Sequence, residues 1–178
     1  MFSLTDIAVL LIQALWFIAP AYAANGFPPV MQGRRPIDGK KLFRGKRLLG
    51  DGKTWEGTLG GIMAGILVGV LQIAFQSDLA FLNLDLPAMT IALVIALSAG
   101  TMAGDLIGSF IKRRLDIKRG DAAPLLDQEG FLVAAVILAA LTYNINLAMV
   151  AVLLLITPPI HWASNICGFY MKFKKKPW

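Results

Sequence analysis

Five stretches of the chain are apolar for long enough to matter in lipid. Crossing about 30 Å of hydrocarbon takes about 20 mostly apolar residues at 1.5 Å rise per residue, and residues 4–24, 58–75, 87–111, 125–143 and 146–170 approach or meet that length. The fourth is the shortest, because its continuous apolar part runs only from Phe131 to Leu141 and it borrows Leu125 and Leu126. The first contains Ala21-Tyr22-Ala23, which looks like a cleavage site, but its leading residues carry Asp6 and no positive charge, so it reads as a span and not a signal peptide. The pattern predicts an all-α, polytopic membrane protein with five transmembrane helices. It forms a single domain over 1–178, with polar loops at 25–57 and 112–128.

Within two of these helices the small residues are periodic. Gly57, Gly61, Gly65 and Gly69 recur every four positions, as do Gly100, Gly104 and Gly108. Such ridges allow backbones to approach closely in lipid, where apolar burial gives helices little reason to associate. The expectation is tight packing, with these two helices as candidate partners for each other and with Gly57, Gly104 and Gly108 also suited to leaving room for a ligand. The third helix carries a polar stripe as well: Ser98, Thr101, Asp105, Ser109 and Lys112 share one face.

Composition agrees with a membrane protein. The chain has 178 residues, of which 57% are apolar and 16% charged, against about 45–50% and about 25% in soluble domains. The net charge of +6 would suggest nucleic acid in a soluble protein, but in a membrane protein the positions of the charges matter more. All 17 basic residues fall in three clusters, 34–53, 112–119 and 172–176, and the intervening loops have none. By the positive-inside rule the N-terminus is outside, and both basic loops and the C-terminus are cytoplasmic. The tail at 169–178 reads as a topological determinant drawn to anionic headgroups. One cysteine, Cys167, and one histidine, His161, exclude an internal disulfide and a Cys/His zinc cluster. His161, close to Pro158-Pro159, is expected to hydrogen-bond between helices.

The two loops hold more chemistry than charge anchors need. A carboxylate inside a span is costly, so Asp105 is a functional candidate by default. Asp105 at the end of helix three and Asp127 at the start of helix four form a plausible clamp for Mg²⁺, which takes one or two carboxylates and completes its shell with water and phosphate. Asp121 is a further metal candidate, and Asp116 is expected to pair with a nearby cation. Lys112, Arg113, Lys118 and Arg119 suit phosphate. In the first loop Gly50-Asp51-Gly52-Lys53-Thr54 resembles a phosphate loop at a helix N-terminus. It is not a Walker-type loop, because Arg47 stands where the first glycine of that motif would fall. Taken alone the stretch is equally well a glycine-rich turn.

Two segments, Gly50-Asp-Gly-Lys-Thr-Trp-Glu-Gly57 and Ile111-Lys-Arg-Arg-Leu-Asp-Ile-Lys-Arg-Gly-Asp-Ala-Ala-Pro-Leu-Leu-Asp-Gln128, closely resemble the CDP-archaeol synthases, archaeal membrane cytidylyltransferases. The chain is more distantly similar to the CDP-diacylglycerol synthases. Ser109, Lys112, Arg113, Lys118 and Asp127 match the signature of that second group; Arg119 replaces its Asp, residues 122–126 replace its His-Gly-Gly stretch, and Gln128 replaces its Arg. The resemblance implies transfer of CMP from CTP to an unsaturated archaetidic acid, a geranylgeranyl diether of glycerol phosphate, giving CDP-archaeol and pyrophosphate with Mg²⁺. It places Asp105, Lys112, Lys118 and Asp127 in catalysis. Lys53, Thr54, Gly50, Gly52, Ser109, Arg113 and Arg119 would hold nucleotide, and Asp105, Asp127 and Asp121 the metal. The implied partners are CTP, the diether lipid phosphate and the bilayer, with no nucleic acid; a homodimer is left open. The rival classes are a small transporter, which broken helices and intramembrane carboxylates also suit, and a scaffold that binds anionic lipid.

Overall fold

The computed structural model of the protein describes residues 3–118, 121, 123–174 and 176. The first helix, α1 (Leu4–Gly26), starts at a capping box in which the Ser3 side chain accepts from the Asp6 amide and Asp6 accepts from that of Ser3. A short helix, α2 (Pro28–Met31), follows, then a two-residue hairpin of β1 (Leu42–Phe43) and β2 (Lys46–Arg47). The long helices α3 (Trp55–Phe75) and α4 (Ile91–Arg114) begin at Thr54 and Thr90, each accepting from a backbone amide three residues on. Two shorter helices, α5 (Pro124–Gln128) and α6 (Gly130–Ala139), precede α7 (Leu147–Tyr170).

Four stretches are long and apolar enough to cross a membrane: Leu4–Met31, Trp55–Phe75, Ile91–Arg114 and Leu147–Tyr170. The segment expected at 125–143 is instead divided at Glu129, and its second part, α6, has ten residues. The chain is mostly helical, as expected, but not wholly so. The hairpin pairs Leu42 with Arg47 and Phe43 with Lys46, and an isolated bridge joins Pro36 to Thr54.

The core lies between α1, α4, α6 and α7, where Phe17, Ile18, Leu93, Leu97, Leu132 and Leu153 are buried. Glycine ridges set the spacing, and the α3 ridge packs on α4 as expected, with a Cβ at Gly65 meeting Ser98 and one at Gly69 meeting Val94. A Cβ at Gly61 would fall 2.7 Å from the Ala24 carbonyl oxygen and 2.8 Å from Met102 Sδ, so the α3 ridge seats that helix against α1 and α4 together. The α4 ridge faces α6: a Cβ at Gly104 would lie 2.5 Å from the Gly130 carbonyl oxygen and 2.8 Å from Phe131 Cα. Gly57 lies against Thr54 and Pro28, and Gly108 against the Leu126 carbonyl. Protein atoms therefore fill the space these three were expected to leave for a ligand.

Loop one is organised by Asp38, whose side chain is fully buried. It accepts from the Arg47 guanidinium at 2.8 Å and 3.2 Å and from the amides of Leu49, Gly50 and Lys40 at 3.0 Å each. The Arg47 guanidinium, and after it the backbone donors, hold the Asp38 carboxyl far below the usual carboxylate range. Arg114, at the end of α4, grips the hairpin through the carbonyls of Phe43, Lys46 and Arg47 and stacks on the rings of Phe43 and Phe110. The loop is thereby fixed to the helix that carries the candidate site.

Candidate functional site

At one end of α4 the polar stripe meets both loops. Lys53, from the turn just before α3, reaches Asp105 at 2.5 Å. One and two turns further along α4 come Ser109, which is buried, and Lys112. Lys112 pairs with Asp127 of α5 at 2.7 Å, and the second Asp127 oxygen accepts from the Ala123 amide at 3.0 Å. The Lys112 side chain is only 13% exposed. In so dry a setting an ammonium needs its carboxylate, and the reverse holds too. The two aspartates meet the same end of α4, because Lys112, which holds Asp127, lies two turns along that helix from Asp105.

The glycine-rich stretch behaves as a turn. The Lys53 amide donates to the Gly50 carbonyl at 3.2 Å, and the Gly50 amide is spent on Asp38. Gly50 has φ +92°, a left-handed conformation that favours glycine. The Thr54 hydroxyl caps α3 by accepting from the Gly57 amide at 3.1 Å. What this segment presents to a ligand is therefore the Lys53 side chain, with Gly52 exposed at the tip. Arg113 and Lys118, together with Gly50, Arg47, Asp51 and Asp116, line a cavity of about 300 Å³ between the loops. Among the described residues the buried Arg113 Nε has no hydrogen-bond partner. Asp116 pairs with Lys46 at 2.6 Å, the kind of partner expected for it.

Asp121 lies apart from the other two aspartates in its bonding: it is exposed and pairs with Lys176 at 3.6 Å. Among the described residues no three His, Cys, Asp or Glu side chains form a metal-binding group, so Asp121 does not complete a three-carboxylate cluster. Asp105 and Asp127 alone still match the donor set of Mg²⁺, a hard cation that keeps most of its shell for water and phosphate oxygens. Arg119, expected to touch nucleotide, falls outside the described residues.

Three polar residues near this cluster were not singled out for binding by the sequence. Lys174 of the tail donates from Nζ to Oδ1 of Asn165, which is buried, and Asn165 Nδ2 lies 3.3 Å from His161 Nδ1. His161 thus bonds within α7, one turn away, and not between helices as expected; its ring faces Phe131 with centroids 6.0 Å apart. Burial pushes the Lys174 ammonium below its ordinary value; Lys53 and Lys112 add to that shift, while Asp127 and Asp105 oppose it. An asparagine on an apolar helix was a visible signal. A single lysine within a basic tail was not.

A bundle of apolar helices with lysine–carboxylate pairs and a basic cavity gathered at one end defines a polytopic membrane protein with a charged site built by its loops. A family model described as "CarS-like: CDP-archaeol synthase" matches residues 7–178. The chain is 48% identical to a CDP-archaeol synthase from Pyrococcus horikoshii, with 94% of this chain and 97% of the relative covered. It is 47% identical to one from Thermococcus gammatolerans, over 93% and 95%. A solved structure described as an intramembrane enzyme for archaeal membrane lipids biosynthesis superposes with a TM-score of 0.69 at 39% identity, over 88% of this chain and 94% of that one. The chain belongs to the CDP-archaeol synthase family, and is therefore a membrane enzyme, as the resemblance of its loop motifs implied.

Proposed function

We propose that this protein transfers CMP from CTP to the phosphate of an unsaturated archaetidic acid, releasing pyrophosphate and forming CDP-archaeol, on the cytoplasmic side of the cell membrane. The observation that carries the reading is the convergence of Lys53 and Lys112 with Asp105 and Asp127 at one end of α4. The family membership of nearly the whole chain supports it. The site belongs to one catalytic domain, residues 1–178, with its N-terminus outside and its C-terminus inside; the charge distribution supports that orientation.

The chemistry asks little of an acid or base. A phosphomonoester has its second pKa at about 6, so the lipid phosphate is already an ionised nucleophile near neutral pH. The His161 Nδ1 faces Asn165, and Cys167 is exposed; neither stands as a nucleophile–base pair. Rate would then come from holding the lipid phosphate in line with the CTP α-phosphate and from offsetting the charge that builds on the departing pyrophosphate. Lys53 and Lys112 hold phosphate oxygens beside the aspartates. Arg113 and Lys118, with Arg119 beyond them, bind nucleotide from the cavity between the loops, which Gly50 and Gly52 shape and Thr54 anchors. Ser109 keeps the α4 face between Asp105 and Lys112 polar. Asp105 and Asp127 would hold Mg²⁺, which when bound neutralises phosphate charge and orients the triphosphate.

The test is direct. Purified protein with labelled CTP, Mg²⁺ and a diether glycerol phosphate should yield a CDP-lipid and pyrophosphate, and absence of product with no CTP binding would overturn the assignment. Asp105→Asn and Asp127→Asn should each lower kcat by about 100-fold or more, and the loss should exceed what any fall in the folded fraction, read from the thermal midpoint in detergent, accounts for. Lys53→Ala should weaken CTP binding by about tenfold, the loss of one charge-assisted contact.

A further inference from the structure

The C-terminal tail does not run off into water as a simple charge anchor would. After Tyr170 the chain reverses: Lys172 is left-handed at φ +64°, and the Phe173 and Lys174 amides both donate to the Gly168 carbonyl, at 2.9 Å and 3.1 Å. That reversal lays the Lys174 side chain back along α7. A Cβ at Gly168 would sit at ordinary contact distance, 3.6 Å, from Lys174 Cδ, so the stem lies flat on the helix at a residue with no side chain. The ammonium ends on the Asn165 amide oxygen, nine positions upstream. A second tether, Lys176 to Asp121 at 3.6 Å, joins the tail to loop two.

The Asn165 that holds Lys174 bonds to His161, whose ring lies 6.0 Å from that of Phe131, and Phe131 packs on Gly104 beside Asp105; the Lys174 ammonium is thereby brought to the end of the bundle where Lys53 and Lys112 meet Asp105 and Asp127. Lys53 and Lys112 each have a carboxylate, whereas among the described residues Lys174 forms no ion pair and leans on a neutral amide. An amide oxygen uses one of an ammonium's three donors. A half-buried cation that spends one donor on an amide among the described residues, at the end of the bundle that holds two other cations, is poorly compensated by that amide; an anion of more than one charge would compensate it. Asn165 holds it in place: with Oδ1 accepting from Lys174, its amide nitrogen donates to His161 Nδ1, which fixes both side chains against the helix.

We infer that Lys174 is a phosphate-binding residue of this active site, delivered by the folded-back tail as a third ammonium beside Lys53 and Lys112. The inference rests on the cytidylyltransferase reading above. Its ligand is a phosphate oxygen, supplied either by the triphosphate or by the lipid phosphomonoester, and the two sources separate in the experiment. Lys174→Met keeps the length and apolar stem and removes the charge; Lys174→Arg keeps the charge.

CTP affinity is measured by calorimetry without lipid, and the lipid KM at saturating CTP, for wild type and both variants in the same detergent. In Lys174→Met the CTP Kd should rise about tenfold if the lysine grips the triphosphate, or the lipid KM about tenfold if it grips the acceptor. In either case Lys174→Arg should recover most of the loss and the thermal midpoint should not move. Unchanged Kd, KM and kcat in Lys174→Met would overturn the inference. So would a fall in thermal midpoint with activity that Lys174→Arg fails to restore, because that is the behaviour of a packing residue. If wild type itself makes no CDP-lipid, the functional reading fails first; if wild type is active and Lys174→Met matches it, only the role of Lys174 fails.

Discussion

Asp38 shows how much one side chain can decide. Its carboxylate takes up the Arg47 guanidinium and three amides, and its depressed pKa gives those bonds a definite pH range. The stability it contributes is fully present above its unfolded value of about 3.9 and is lost only as the pH falls through the depressed folded value. Protection of the Leu49 and Gly50 amides from hydrogen exchange should therefore hold from neutral pH down to about pH 4 and fade below it. Asp38→Ala should cut that protection by about 2 kcal/mol above about pH 4, the cost of leaving buried donors unpaired, and the gap to the wild type should narrow below it. Nothing in the sequence marked Asp38 apart from any other Asp-Gly turn, because its role depends on partners gathered by the fold from both sides of the hairpin. Asp105 was legible for the opposite reason: a carboxylate interrupting an apolar run carries its own cost wherever the helix packs. Lys174 was hidden among like residues, and only the chain reversal at Lys172 distinguishes it.

At the scale of elements, the long helices followed from apolar length, and the structure places α1, α3, α4 and α7 close to the expected spans. The break at Glu129 was less visible, since Asp127, Gln128, Glu129 and Gly130 interrupt a run that was already short. The hairpin could not be read at all: two-residue strands fall below any alternation a sequence can show. Glycine spacing predicted close packing and, for the α3 ridge, its α4 partner; that the α4 ridge itself faces α6 was not legible, because periodicity identifies a small face without saying which helix will use it. The α4 ridge is the sharpest case. Gly104→Val would drive side-chain atoms into the Gly130 carbonyl and Phe131 backbone and should lower stability by about 1–3 kcal/mol. Gly26→Ala, with nothing within 4 Å of the added carbon, should leave it unchanged. Thermal melts of both variants in one detergent check the contrast.

Over the whole molecule, the charges separate the two ends. Ion pairs from loop one, loop two and the tail all gather at the end of α4 that carries Lys112. The opposite end is held by neutral groups, among them Gln13 and Trp16 on the carbonyls of Leu84 and Pro87, and Gln76 on Met89. This asymmetry was fully legible, because it is a property of where lysines and arginines fall along the chain. The orientation proposed from it is checked with an impermeant thiol reagent on intact cells, after Cys167→Ser removes the native thiol. Ser77→Cys should be labelled from outside, while Lys41→Cys should react only after the membrane is opened; both positions are exposed.

The paired charges also bear on how the two substrates' helpers arrive. Asp105 and Asp127 each hold an ammonium, so under the proposed function a divalent ion would compete with Lys53 and Lys112 for the same oxygens, and a triphosphate would compete with the aspartates for the same lysines. Either newcomer by itself strands a charge of the displaced kind. Arriving together, each would take up what the other sets loose, so under that function their affinities would be thermodynamically linked, with the factor by which nucleotide tightens the ion equal to the factor by which the ion tightens nucleotide.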